Sequence, residues 1–178
     1  GRFTYPCEFS LVAAMNPCPC GFYGHPKKKC ICSQGAVRSY LGKISGPMLD
    51  RLDIHVEVPA VEYEELTGKA DGETSAEIRK RVEAARALQQ ERYKGTGVNC
   101  NARLTSALIQ KYCVLTPLAD KVLKEAFERM GMSARSYDRI LKIARTVADL
   151  DGAESIDVQH ISQAIRFRSL DRKYWSEL

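Results

Sequence analysis

Cys18 and Cys20 in NPCPCG, followed by Cys30 and Cys32 in KKKCICS, place four thiols within fifteen residues. A chain with this spacing either gathers the sulfurs on one ion or leaves them in sequence that cannot build an apolar core. Two C-x-C pairs around a short basic loop suggest a tetrahedral site, with zinc the first reading. C-x-C departs from the usual C-x-x-C knuckle, so two alternatives stay open. The thiols are reduced and unpaired, or they form disulfides; the odd total of seven cysteines and the absence of a visible signal peptide speak against the second. Cys7 and His25 are spare ligand candidates.

The 178 residues hold one medium domain or two small ones. A hydrophobic share of 44 % with 28 % charged residues is that of an ordinary globular chain, and no apolar run is long enough to cross a bilayer. The expected location is the cytoplasm. The formal net charge of +5 permits contact with phosphates without demanding it. The chain opens without Met and runs straight into strand-like sequence, as expected for a piece of a longer protein.

Phe9 to Met15 reads as a short buried strand ended by Asn16-Pro17, and Ile54 to Val58 as an alternating strand stopped by Pro59. Between them, Ser33 caps a short helix from Gln34 to Leu41, and a helical turn falls near Met48. After Pro59 the pattern becomes helical. Thr74 and Glu77 form a capping box for a long charged helix to about Tyr93, with Gly95 as its stop. Thr105, Thr116-Pro117, Ser133 and Asp157 cap four more helices, with Gly131 closing the one that begins at Pro117. The stretch from Gly68 to Ser75 reads as a flexible linker. The expected fold is α/β followed by all-α.

FSLVAAMNPCPCG, ISGPMLDRLDIHVEVP, GVNCNARL, MSARSYDRILKIARTVADLDG and ISQAIRFRSLDR together resemble the C-terminal half of magnesium-chelatase-like AAA+ ATPases of the ComM/YifB family. The resemblance implies the C-terminal part of an AAA+ core over residues 1–60 and a helical-bundle lid over residues 61–178. It also implies ATP and Mg²⁺ as ligands of the intact protein and self-association into a ring, expected to be a hexamer. Asn16 resembles the polar residue at the end of the sensor-1 strand, which orients the attacking water. Arg51 resembles the arginine finger, whose planar guanidinium reaches a neighbouring subunit's nucleotide. Arg135 resembles sensor 2 on the lid, with Arg139 and Arg145 as competing assignments on the same helix.

No G-x-x-x-x-G-K-[ST] motif occurs in these residues, and no Walker B carboxylate pair precedes the sensor strand. The chain by itself is therefore expected to be inactive toward ATP. For the intact protein the resemblance implies a DNA-processing motor of the branch-migration type. The alternatives are a subunit inserting Mg²⁺ into a porphyrin and a zinc-binding remodelling or interaction module. Lys27, Lys28 and Lys29 are candidate DNA contacts; a solvated charge run is the competing reading.

Overall fold

The computed structural model describes residues 3–5, 9–59, 61, 67 and 72–168. Cys7 and residues 68–71 of the expected linker lie outside them. The chain divides into two compact units after Ser45.

The first unit holds the cysteine loop and one helix, α1 (Gln34–Leu41). Ser33 caps α1: its backbone is extended and its Oγ accepts from Ala36 N at 3.2 Å. Val37 and Leu41, one turn apart, form the buried face of α1.

The second unit is a helical bundle. Among the described residues its named elements are α2 (Gly46–Leu49), α3 (Ser75–Arg92), a 3₁₀ turn at Asn101–Arg103, α4 (Ser106–Tyr112), α5 (Pro117–Met130), α6 (Ala134–Leu150) and α7 (Val158–Arg166). The starts of these helices follow local chemistry. The Thr74–Glu77 box opens α3, Thr116 with proline at the first position opens α5, and Ser133 opens α6. Asp157 opens α7, with His160 Nδ1 accepting from the Asp157 N–H at 2.8 Å. Gly131 ends α5 at φ +56°, a left-handed conformation glycine adopts without a Cβ penalty.

The core is centred on α6, which packs on α7 and α3. Leu123, Ile140, Ala144, Ala148, Ile156, Ile161 and Ala164 are fully or almost fully buried. A short parallel bridge between Leu115 and Ile156 ties the entries of α5 and α7, and Thr116 Oγ1 donates to Asp157 Oδ1 at 2.9 Å. The two caps therefore support each other.

Neither expected strand forms a ladder among the described residues. Residues 9–15 are irregular and exposed, with Phe9 at 81 % and Val12 at 93 % exposure. Residues 54–58 have no regular structure; His55 N donates to Phe167 O at 2.8 Å, but Ile54, Val56 and Val58 remain exposed. A strand is stable only when a neighbour pairs its N–H and C=O groups, and no described residue supplies that neighbour. The α/β half of the expected fold is thus not seen, whereas the helical half is.

Candidate metal centre and candidate phosphate-binding arginines

The cysteine loop is folded around its sulfurs. Cys18 to Gly21 is a tight turn in which Gly21 N donates to Cys18 O at 3.0 Å, and Gly21 takes φ +82°. This turn carries Cys18 and Cys20 to Cys30 and Cys32, so that all four Sγ atoms lie within 4.8 Å of one another. Cys18–Cys20, Cys20–Cys30 and Cys18–Cys30 are separated by 3.4, 3.5 and 3.7 Å. Sulfurs about 2.3 Å from a tetrahedral zinc sit about 3.8 Å apart, so the spacings among Cys18, Cys20 and Cys30 are within a few tenths of an ångström of that geometry. The same distances are far above the roughly 2.05 Å of a disulfide bond.

The electrostatics point the same way. Backbone N–H groups of Phe22 and Ile31 bond the Cys20 sulfur and bring its pKa down to about 6. At Cys30 the Cys32 amide lowers the pKa, but desolvation and the neighbouring Cys20, Cys18 and Cys32 sulfurs outweigh it and push it up to about 12. The Cys20 amide similarly lowers Cys32, yet desolvation and the Cys20 and Cys18 sulfurs carry it upward. The Cys20 thiolate is stabilised while those of Cys30 and Cys32 are penalised beside it. A divalent cation would remove that penalty by neutralising all four together. Cys18 is completely buried, and the other three are partly so. His25 is not a ligand in this arrangement: its Nδ1 accepts from the N–H groups of Lys27 and Lys28, each at 3.0 Å.

Asn16 lies two residues before Cys18 and is exposed in the first unit, where a Cβ placed on Gly21 would stand 3.8 Å from Asn16 Nδ2. Arg51 and Arg135 belong to the second unit. Arg51 is exposed, with Nη1 donating to Pro47 O at 2.6 Å. Arg135 is exposed in the first turn of α6, and no hydrogen bond or ion pair engages it among the described residues. These two segments meet. Asp50, beside Arg51, accepts from Ser136 Oγ at 3.2 Å and from Arg168 Nη2 at 3.1 Å, and Ser136 adjoins Arg135. Arg168 also donates to Leu52 O at 2.7 Å, fixing the loop further. Asp50, Ser133, Ser136 and Arg168 line a cavity of about 300 Å³.

The competing arginines differ in burial and in partners. Arg145 is 1 % exposed and spends its guanidinium on Asp149 Oδ1 at 3.0 Å, Glu154 O at 2.7 Å and Ala153 O at 2.5 Å. Enclosed in this way, it presents almost no surface to solvent. Arg139 pairs with Asp53 Oδ1 at 3.2 Å, and its Nη1 is buried without a partner among the described residues.

The sequence offered no warning of the network around Asp149. Arg92 grips this carboxylate at 2.5 and 3.0 Å, and Asn101 Nδ2 donates to it at 2.9 Å. Tyr93 OH donates to Asn101 Oδ1 at 2.5 Å, and Gln89 Oε1 accepts from Asn101 N at 3.1 Å. The Asp149 carboxylate drives the Arg92 pKa upward, against desolvation, which lowers it. The signal available in sequence was an asparagine directly after Cys100 in NCNARL, which nothing local explains.

A thiol knuckle followed by a capped helical bundle defines a two-part protein with a structural-metal geometry in its first part. Residues 1–66 match the family model for magnesium chelatase, subunit ChlI, and residues 72–168 match the model for the C-terminal part of that subunit. The chain belongs to this magnesium-chelatase subunit family. It is 41 % identical over 172 residues to the uncharacterized protein YifB of Salmonella typhimurium, and 38 % identical over 172 residues to the competence protein ComM of Haemophilus influenzae. Each match covers 96 % of this chain and 33 % of the relative, so the chain spans about a third of the length of these proteins.

Proposed function

We propose that this chain is part of a nucleotide-dependent AAA+ ring ATPase that processes DNA in the cytoplasm. The observation that carries the reading is the match of both successive parts of the chain to one family, together with likeness to a protein named for competence. In this reading the AAA+ core portion ends near residue 60 and the lid follows. Asn16 orients the water that attacks the γ-phosphate of ATP·Mg²⁺, Arg51 stabilises the developing charge across a subunit interface, and Arg135 binds phosphate from the lid. An unengaged, exposed Arg135 beside the α6 N-terminus suits an anion, because the first-turn amides add partial positive charge. The four thiolates hold a structural Zn²⁺.

The chain lacks a P-loop, so the proposal assigns it no hydrolysis of its own. The test uses the whole protein, expected to be hexameric. Its ATP turnover should rise with branched DNA, and Arg51→Ala should lower that turnover on the order of a thousandfold. Turnover unchanged in Arg51→Ala would refute the finger assignment; turnover indifferent to every DNA would refute the DNA motor. The family's own description favours one second reading, a subunit for metal insertion into a porphyrin. Porphyrin-stimulated turnover without a DNA response would select it over the first; a zinc-binding remodelling module would respond to neither.

A further inference from the structure

The net charge of this chain is not spread along it. Residues 9–45 contain five cationic side chains, Lys27, Lys28, Lys29, Arg38 and Lys43, and no carboxylate. That stretch alone carries the formal +5 of the whole chain, and the residues outside it balance. It stays cationic even after the double negative charge of a zinc tetrathiolate is counted. A local excess of positive charge of this kind attracts anions.

Three of those lysines sit at the tip of the cysteine loop on an ordered backbone. His25 Nδ1 accepts from the N–H groups of both Lys27 and Lys28, and Cys30 closes the segment directly after Lys29. Lys28 Nζ stands 5.1 Å over the Phe22 ring, which itself meets the His25 ring edge-on at 5.7 Å. All three lysines are exposed. Lys28 thus occupies one face of the Phe22 ring. Lysine is a point charge without the planar fork that reads a base edge, so this surface suits backbone phosphates rather than sequence.

We propose that the cysteine loop is a metal-dependent module for nucleic-acid phosphate, with Lys27, Lys28 and Lys29 as its contacts and no preference among bases. This rests on the zinc and DNA readings above. The four sulfurs supply the fold and the lysines supply the affinity.

The test measures binding of the 178-residue chain to mixed-sequence oligonucleotides as salt is raised, with zinc content determined alongside. The triple variant Lys27→Ala/Lys28→Ala/Lys29→Ala should keep its zinc and lower the slope of log K against log salt by about 2 to 3, since each phosphate contact contributes about 0.7 to 0.9. Cys30→Ser/Cys32→Ser should lose zinc and bind as weakly as the triple variant, although its lysines are intact. Exchanging all A·T for G·C pairs should change affinity by less than about twofold, because phosphate contacts carry no sequence information. Unchanged affinity and slope in the triple variant, with a parent that binds, overturns this inference and leaves the DNA reading standing. A parent that binds no oligonucleotide at low salt defeats both. Displacement by polyglutamate as effective as by DNA, at equal charge, overturns the assignment to nucleic acid.

Discussion

In the unit ending at Ser45, the buried side chains among the described residues are Cys18, Val37 and Leu41; the unit that follows buries more than twenty, from Leu49 to Arg168. The first has too little apolar surface to hold its own shape, and it gathers sulfurs instead. The second has a continuous core of leucine, isoleucine and alanine, and it can tolerate a buried cluster of charges. Small folds generally need such a staple where the core is thin. The difference sets what each unit is expected to be vulnerable to: on the zinc reading, the first to anything that competes for the cation, and the second to anything that leaves a buried charge alone.

Chelation should break the comparison most sharply. Binding of a structural zinc is worth on the order of 10 kcal/mol of folding free energy in small sites. A strong chelator should therefore abolish amide protection in residues 9–45 while leaving the α3–α7 amides protected, as read by hydrogen exchange. Loss of protection in both units together would mean that they are one cooperative body.

A smaller effect is expected in the bundle. Asp149→Ala leaves Arg92 and Arg145 without their shared carboxylate, and breaking a buried pair in this way costs about 3 to 5 kcal/mol. Urea unfolding of the helical signal should shift accordingly, with zinc content unaffected. A shift below about 1 kcal/mol would mean that the network is solvated and carries little, as exposed pairs do.

The mildest separation comes from acid. The Asp157 pKa is lowered from 3.8 by the Val158 amide and the Thr116 hydroxyl, and that of Glu77 from 4.5 by the Thr74 hydroxyl and amide. Carboxylates held below their unfolded values stabilise the fold above those values, and the contribution is lost as pH falls through the lower folded ones. Protons compete for thiolates at higher pH than this. Zinc release, followed with a colorimetric chelator, should precede any loss of helical circular dichroism as pH is lowered. The reverse order would show that the caps, not the metal, are the weaker link.

The helices were legible in the sequence because their ends are local events. Ser33, Thr74 with Glu77, Thr116-Pro117, Ser133 and Asp157 each act on amides within three residues, and Gly131 needs only its own missing Cβ. The cysteine cluster was legible for a similar reason, since a short loop brings its ends together at little entropic cost. The residues from Phe9 to Met15 and from Ile54 to Val58 carry a strand pattern just as clearly. Pattern without a neighbouring ladder does not make a strand, and here those side chains stand exposed.

The arginines mark where local reasoning stops. Arg135, Arg139 and Arg145 share α6 and are chemically identical, so the sequence by itself settled their helix but not their work. The tertiary structure gave them different surroundings: Arg145 is enclosed with Asp149 and two carbonyls, Arg139 faces Asp53, and Arg135 is exposed with no hydrogen bond or ion pair among the described residues. Spacing fixes which face of a helix a residue occupies. Which face is buried, and against which charge, depends on partners tens of residues away, such as Arg92 and Asn101, brought close only when the bundle packs.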